Sequence, residues 1–253
     1  MIGSNLQLKN MTWPEIGQKI KNGQDSVIIN LASMEQHGLH LPECTDEVIG
    51  LGLACGLAER LGDALVAPSI IPGLSEHHLA LPGSLSLRPE IFKGIIEDYV
   101  TCYKNHGFKK FILVASHGGN MDTANKMADE FNVRFQDDCF ISALTLESLM
   151  KILMTYEMEN NMPTGSCGGH ACAFETSIML YFAPELVKMD KAKAGYVGLP
   201  SKELIDNMFE NGILGISEIG VIGDPTLATR ELGEKFYNSV LDDMEKHVRE
   251  LLK

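Results

Sequence analysis

Runs of β-branched residues alternate with segments of helical periodicity along the first part of the chain, and this alternation constrains the fold more than any other feature. Each strand-like run is short and apolar, and each helix-like segment carries apolar residues three or four positions apart. Such alternation is typical of a mostly parallel sheet with helices on both faces. The strand-like runs are SVIINLA (26–32), ALVAPSI (64–70), KKFILVAS (109–116) and CFISALTL (139–146). The sequence therefore predicts a three-layer α/β/α fold.

The helix-like segments carry the expected terminal residues. TDEVIGLGLACGLAERLG (45–62) has a Thr or Asp cap and a closing Gly, and RPEIFKGIIEDYVTCYKNHG (88–107) has Pro near its start and Gly at its end. The segment 224–253, which starts with Asp-Pro, predicts one long amphipathic helix on the outside of the sheet. Because no Ser/Gly-rich linker or low-complexity tract divides the chain, we expect a single domain over residues 1–253.

Charge and composition exclude several classes of partner. The formal net charge is −13, and no basic cluster stands out, so we expect neither a nucleic acid nor an anionic membrane as partner. No apolar run is long enough to span a bilayer, and the N-terminus has no secretory signal pattern, which predicts a cytoplasmic location. The six cysteines form no CxxC pair and are predicted to be reduced thiols. A small-molecule substrate is the expectation.

Polar loops follow three of the predicted strands. NLASMEQHGLHLPECTDE (30–47) follows the first strand, PGLSEHHLALPGSLSL (72–87) follows the second, and SHGGN (116–120) follows the third. In open α/β sheets, ligands bind beyond the carboxyl ends of the strands, so these loops are expected at one edge. Six of the eight histidines lie in such loops or at a helix start, namely His37, His40, His77, His78, His117 and His170.

These histidines and the acidic residues near them are candidate metal ligands. A single loop His or carboxylate is more often a structural or solvated residue, but Glu35, His37 and Asp46 can converge if GLHLP folds back. Mixed His and carboxylate ligation suits zinc, manganese or iron better than calcium. A carboxylate shared by two such ions gives a site that generates hydroxide and polarises a carbonyl.

A further cluster, CGGHACAFETS (167–177), contains His170 and Glu175. The two glycines precede a predicted helix start, where the helix dipole favours an anionic ligand or a developing oxyanion. The pattern fits two structures equally well. One is a capped helix with a buried Glu, and the other is a part of a functional site.

Several of these segments, in order, resemble the creatininase (creatinine amidohydrolase) family. SMEQHGLHLPECTDE resembles its signature S-x-E-Q-H-G-x-H-L-P followed by T-D, and GLSEHHLALPGSLSL resembles its G-x-S-x-x-H-x-x-F-P-G-T-x-S-L. SHGGN is similar to its N-G-H-G-G-N, and GGHACAFETS to its H-A-G-x-x-E-T-S. MTWPEI near the start and GVIGDPTLATRELGE near the end also match. The resemblance covers nearly the whole chain and implies a creatininase-like fold.

The resemblance implies a site with two divalent metal ions, zinc, manganese or iron. Glu35 and His117 are expected on one ion and His37 on the other, with Asp46 bridging both. Creatininase itself has its last ligand, a Glu, where this chain has Gly119. Glu175 is therefore expected either as the fifth ligand or as the base that handles the metal-bound water.

The resemblance also implies a reaction. A bridging hydroxide would attack the carbonyl of an amide or cyclic amide, while His170 orients the substrate or protonates the leaving group. The expected substrate contacts are Ser75, His78, Gly118, Asn120 and His40, of which His40 is expected either to support the ligands or to meet the substrate.

Three positions differ from the pocket of creatininase. Its ring-contacting Tyr and Trp correspond to Gly118 and Ser166 here, and a carboxylate corresponds to Gly169, so a substrate other than creatinine is predicted. Relatives include deformylases of opened purine rings, a peptidase acting on a redox-cofactor precursor, and enzymes that open a keto-cyclitol ring. A formamide or a sugar-like keto-cyclitol is thus an alternative substrate, and a non-catalytic binding protein is a third hypothesis. Family members are commonly ring-like, which implies a homo-oligomer such as a hexamer.

Overall fold

The β-branched runs form a parallel sheet at the centre of the protein. The computed structural model describes residues 3–199 and 201–253. In these residues the sheet has four strands, β1 (Ser26–Leu31), β2 (Ala64–Val66), β3 (Lys110–Ala115) and β4 (Cys139–Ser142). Their spatial order is β2-β1-β3-β4. Ser26 of β1 pairs with Ala64 on one side and Lys110 on the other.

The described residues contain eight α-helices, and helices pack on both sides of the sheet, which confirms the predicted α/β class. The helices are α1 (Trp13–Lys21), α2 (Thr45–Leu61), α3 (Pro89–His106), α4 (Gly118–Arg134), α5 (Leu146–Glu159), α6 (Ala173–Phe182), α7 (Lys202–Asn211) and α8 (Arg230–Leu251). Helices α2 and α3 begin and end close to the bounds that the sequence predicts. None of them is long and apolar enough to cross a membrane.

The C-terminal helix begins later than the Asp-Pro pair predicts. Asp224 instead accepts a hydrogen bond from the backbone N–H of Thr226, and Pro225–Leu227 forms a separate 3₁₀ turn. Helix α8 starts only at Arg230, where the hydroxyl of Thr229 caps the backbone N–H of Leu232 at 3.1 Å. The predicted start was therefore wrong: Asp224 caps only the short 3₁₀ turn, and the long helix begins at Arg230 with Thr229 as its cap.

Apolar side chains from the strands fill the space between the sheet and the helices. All six residues of β1 are buried. On the β4 side, the rings of Phe111 and Phe140 stack at 4.8 Å, and Phe131 of α4 lies 5.2 Å from Phe140. Each fully buried Phe contributes about 1.5–3 kcal/mol to the free energy of unfolding. This packing fixes β3 and α4, and with them the residues at the carboxyl end of β3.

The strand order reverses between β1 and β3, which creates a crevice at their carboxyl ends. Side-chain hydrogen bonds hold this edge together. The hydroxyl of Ser116 donates to Asn30 Oδ1 at 2.9 Å. The amide of Asn120 donates to the carbonyls of Leu31 and Ala32 and accepts from the backbone N–H of Leu74. The loops after three strands are thereby joined at one place, as the sequence predicts.

Candidate metal centre

Five predicted ligands come together in the crevice between β1 and β3. Glu35 and His37 lie on the loop after β1, Asp46 in the first turn of α2, His117 at the N-cap of α4, and Glu175 in the first turn of α6. The β1 loop does fold back, since Glu35 N–H donates to the carbonyl of Glu43 at 3.2 Å. All five side chains are buried.

One group of potential ligands consists of Glu35, Asp46 and His117. His117 Nδ1 lies 3.1 Å from Glu35 Oε1 and 3.5 Å from Asp46 Oδ2. The ligand atoms of the three residues all lie within 4.8 Å of one another. The spacing lets one cation contact all three.

A second group consists of His37, Asp46 and Glu175. His37 Nε2 lies 3.3 Å from Asp46 Oδ1 and 3.8 Å from Glu175 Oε1. The two oxygens of Asp46 therefore face different imidazoles, Oδ1 toward His37 and Oδ2 toward His117. A third group combines Glu35 and His37 with His170, whose Nδ1 lies 3.7 Å from Glu35 Oε1.

Backbone carbonyls fix which nitrogen of each imidazole faces the carboxylates. His37 Nδ1 donates to the carbonyl of Glu35 at 3.0 Å, so Nε2 points into the cluster. His117 Nε2 donates to the carbonyl of Leu74 at 2.9 Å, so Nδ1 points inward. A hydrogen bond on the outer nitrogen of this kind orients metal-binding histidines.

The electrostatics show that the cluster attracts positive charge. Burial alone lowers the pKa of His37, but the carboxylates of Asp46 and Glu175 raise it to about 10. Burial also opposes protonation of His117, and Glu35 nevertheless raises its pKa to about 9. Burial raises the pKa of Glu175 to about 7, an effect that His37 partly offsets. The carboxylates of Glu35, Asp46 and Glu175 thus outnumber the two imidazoles whose pKa values they raise, so the cluster favours additional positive charge.

The donor set fits divalent metal ions. Among the described residues, both carboxylate oxygens of Glu35, Oδ2 of Asp46 and Nε2 of His37 are buried and accept or donate no hydrogen bond. Burying a carboxylate without a partner is costly, and buried charges are normally paired or coordinate metals. The unpaired atoms all face the same small volume, so cations there would satisfy them together.

Gly119 lies where the family resemblance leads us to expect a Glu ligand. A Cβ at Gly119 would collide with His117 Nε2 and with the carbonyl of Leu74. This close approach is what allows His117 to donate to Leu74. The neighbouring Gly118 differs, because a Cβ there would meet no atom within 4 Å.

The predicted substrate contacts occupy different surroundings. Ser75 is fully buried, with its hydroxyl bonded to Ser33 Oγ and 3.3 Å from His117 Nε2. His40 is also buried, and its Nε2 lies 2.8 Å from Thr176 Oγ1 on α6. Burial and the nearby His37 lower the pKa of His40 to about 4. Ser75 thus supports His117, and contact of either residue with substrate stays a prediction.

His78 and Asn120 are two further predicted substrate contacts. His78 Nε2 lies 3.6 Å from Glu35 Oε1, at the edge of the cluster. The amide of Asn120 is wholly buried and fully used in joining the loops, so its contact with substrate also stays a prediction. A cleft of about 510 Å³ lies beside the cluster, with Gly119 and His77 in its wall.

Sequence reasoning missed two residues that organise the site. Gln36, between the two candidate ligands of the β1 loop, contacts both His78 and His170. Buried Glu157 accepts hydrogen bonds from the backbone N–H groups of Gly165 and Cys167, and so holds the loop that leads to His170. An acidic residue on the apolar face of α5, among Leu153 and Tyr156, was the available signal for Glu157.

The chain is similar to known enzymes over most of its length. The chain is 29% identical over 245 residues to a mycofactocin precursor peptide peptidase of Mycobacterium ulcerans, covering 92% of this chain and 83% of that protein. It is 23% identical over 273 residues to a 3-dehydro-scyllo-inosose hydrolase of Thermotoga maritima, covering 98% of this chain and 84% of that protein.

Solved structures show the same fold. A creatininase crystal structure superimposes with a TM-score of 0.80 at 20% identity, covering 97% of this chain and 98% of that chain. A manganese form of creatininase gives a TM-score of 0.79 at 22% identity, with 97% and 98% covered.

The family model described as creatinine amidohydrolase matches residues 9–248, nearly the whole chain. The match spans all five predicted ligands and the sheet that positions them. This chain belongs to the creatininase family and is a metal-dependent hydrolase.

Proposed function

We propose that this protein hydrolyses the C–N bond of an amide at a pair of divalent ions. The observation that carries the proposal is the placement of Asp46, whose two carboxylate oxygens face two separate groups of potential ligands. A carboxylate in this position suits a bridging ligand. Glu35 and His117 would complete one set, and His37 and Glu175 the other.

The charge balance supports two ions. Glu35, Asp46 and Glu175 carry three negative charges when ionised, and all three are buried. Two divalent ions bring four positive charges, which leaves one to be balanced by an anion such as a substrate carboxylate. When bound, a pair of zinc, manganese or iron ions polarises a carbonyl and makes water a nucleophile at neutral pH.

Glu175 is proposed as the fifth ligand rather than as the base. Its Oε2 accepts a hydrogen bond from the backbone N–H of Ala171, which fixes the carboxylate and leaves Oε1 directed at His37 Nε2, 3.8 Å away. A carboxylate held in one orientation is suited to binding a cation. His170 is proposed to hold the proton that the leaving nitrogen requires, because its Nδ1 faces Glu35 at 3.7 Å.

We propose a substrate other than creatinine. Gly118 is exposed and a Cβ there would meet no atom within 4 Å, so no side chain at this position limits the size of the substrate. The peptidase relatives favour a peptide amide, because this chain is 29% identical to one of them. A keto-cyclitol is the second candidate, supported by the relative from Thermotoga maritima.

The test combines metal analysis with a substrate panel. Purified protein reconstituted with zinc or manganese should hold about two ions per chain and hydrolyse a peptide or another amide on the panel, but not creatinine. The panel includes short peptides, formamides, lactams, creatinine and keto-inositols. Retention of less than one ion per chain, or hydrolysis of the keto-inositols alone, would refute an amidase with two ions.

A matched pair of variants assigns the activity to the site. Asp46→Asn keeps the shape of the side chain but removes the bridging charge, so we expect loss of at least one ion and of nearly all activity. Asp242→Asn removes an exposed carboxylate that pairs with Arg60 on the surface, and should change neither. Full activity of Asp46→Asn would contradict the proposed ligand set.

We further propose that the chain forms a homo-oligomer such as a hexamer. The support is the family membership together with large apolar side chains that are half exposed, namely Leu39, Leu79 and Leu85. Light scattering should give a mass of several 27.8 kDa chains. A monomer at micromolar concentration would contradict this assembly.

A further inference from the structure

The side chain of Gln36 lies inside the site with a fixed orientation. Its Oε1 accepts a hydrogen bond from the backbone N–H of Gly38 at 2.9 Å. A backbone N–H can only donate, so this contact identifies the oxygen end of the amide. The NH₂ end must therefore face the other side, where it lies 3.3 Å from the carbonyl of Gly220 and close to two imidazoles.

This orientation sets the proton of His78. The NH₂ of Gln36 lies 2.9 Å from His78 Nδ1. The same NH₂ also lies 2.9 Å from His170 Nε2, but that nitrogen is itself a donor to the carbonyl of Gln36. The two hydrogens of the NH₂ therefore go to His78 Nδ1 and to the carbonyl of Gly220, so His78 Nδ1 accepts and does not carry the proton. The proton is then on Nε2, the atom that faces Glu35 Oε1 at 3.6 Å. His78 consequently presents an N–H to the site.

His170 is turned the other way by the backbone of the same residue. Its Nε2 lies 2.8 Å from the carbonyl oxygen of Gln36, which can only accept. The proton of a neutral His170 is therefore on Nε2, and Nδ1 presents a lone pair to the site. The two rings lie 4.4 Å apart between centroids. They share one tautomer but present opposite edges, a donor from His78 and an acceptor from His170.

We propose that Gln36 is a positioning residue that makes His78 a hydrogen-bond donor to the substrate carbonyl while His170 accepts a proton. The inference rests on the proposed amide hydrolysis. In that reaction the oxygen of water bonds to the carbonyl carbon and its proton passes to His170 Nδ1. The same proton then moves to the nitrogen as the C–N bond breaks. The neutral N–H of His78 hydrogen-bonds the carbonyl oxygen as negative charge develops there.

The side chain of Gln36 can be altered with little change of shape. Gln36→Glu replaces the donating NH₂ with an accepting oxygen, which favours a proton on His78 Nδ1 and removes the N–H from the site. Gln36→Met removes the hydrogen bonds and should leave His78 in both tautomers. Gln18→Glu is the control, because it makes the same substitution on the exposed face of α1.

The decisive readout is the tautomer of His78, measured by long-range ¹H–¹⁵N NMR on zinc-loaded protein with ¹⁵N-labelled histidine. A His78→Asn spectrum assigns the signals. We expect the Nε2–H tautomer for His78 and His170 in the wild type and in Gln18→Glu. In Gln36→Glu, only His78 should change. Wild-type His78 protonated on Nδ1, or an unchanged His78 in Gln36→Glu, would overturn the proposal.

Kinetics supply the second readout and separate this inference from the proposed function. On an amide that the panel identifies, Gln36→Glu should lower kcat by about 100-fold or more while zinc content stays at the wild-type level. Unchanged kcat in Gln36→Glu would overturn the role of His78. If no amide is hydrolysed but the tautomers are as expected, the amidase proposal fails and Gln36 is still shown to set His78.

Discussion

At the scale of single residues, the backbone at Gly119 leaves no space for a side chain. His117 approaches the backbone there so closely that a Cβ has no space. A Glu at this position would displace the imidazole, so a carboxylate cannot be added here without moving His117. In this chain Glu175 reaches the same cluster from α6 instead.

Gly119→Ala and Gly118→Ala test this difference. Overpacking by Gly119→Ala should lower the free energy of unfolding by about 1–3 kcal/mol and reduce metal content, because His117 must move. Gly118→Ala adds a methyl group to open space and should change stability by about 0.5 kcal/mol or less. Urea unfolding and metal analysis measure both effects. Equal losses in the two variants would contradict the steric explanation.

The raised pKa values of His37 and His117 predict that metal affinity increases with pH. In metal-free protein these rings hold protons up to about pH 10 and 9, so a cation must displace those protons to bind. Affinity should rise about tenfold per pH unit for each proton released. Titrations with a competing chelator from pH 6 to pH 8 measure the slope. A flat profile would show that no proton leaves.

The raised pKa values of the two histidines also predict how the stability of the metal-free protein depends on pH. Both folded pKa values lie above the ordinary value of 6.5. The ion pairs with the carboxylates therefore stabilise the fold fully below pH 6.5, and this contribution is lost as pH rises through about 9 to 10.

At the scale of elements, helix α2 places Asp46 between the two groups of ligands. Its Gly50 faces the ends of β1 and β3 so closely that a Cβ would collide with Asn30 Oδ1 and Ser116 Oγ. The first turn of α2 thereby comes near enough to the crevice for Asp46 to reach both His37 and His117. The distance between a helix and the sheet thus determines the metal site.

Gly50→Ala should push α2 outward. We expect a loss of about 1–3 kcal/mol in the free energy of unfolding together with weaker metal binding. Gly94→Ala on α3 is the matched control, since its Cβ meets nothing within 4 Å and the substitution should stabilise the helix by about 0.5–1 kcal/mol. Thermal unfolding with and without zinc separates the two effects. Unchanged zinc affinity in Gly50→Ala would contradict the link between α2 and the site.

At the scale of the whole molecule, the proposed metal centre brings together α2, α4, α6 and the loop after β1. An ion bound there would stabilise contacts between segments that are distant along the chain. At a free ion concentration of 100 Kd, binding contributes about 2.7 kcal/mol. For a chain of 253 residues this corresponds to a rise of about 5–10 °C in Tm.

Chelation should accordingly lower the Tm of the wild type by about 5–10 °C, and added zinc or manganese should restore it. Differential scanning fluorimetry measures the shift. Asp46→Asn is the control, because it lacks the carboxylate that lies between the two groups of potential ligands and should respond only weakly to the ions. A wild-type Tm that is independent of chelator and metal would contradict a centre that ties these elements together.

Much of the fold and of the site was predictable from local pattern. The runs that form β1, β3 and β4 and the bounds of α2 and α3 follow from side-chain period and from terminal Pro and Gly residues, which act over a few positions. The grouping of Glu35, His37, Asp46 and His117 followed from their places after strands and from the family motifs. The start of α8 was wrong because two capping residues, Asp224 and Thr229, compete within one short segment.

The sequence by itself determined the α/β class, the family and the residue types available to bind metal. Only the tertiary structure decided which atoms face one another. In the tertiary structure Oε1 of Glu175 points at His37, and the hydroxyl of Ser75 lies beside His117. Gln36 contacts His78 through its side-chain amide and His170 through its backbone carbonyl. The physical reason is that motif spacing fixes where a residue lies along the chain, whereas the orientation of its side chain depends on hydrogen bonds and packing between segments far apart in sequence.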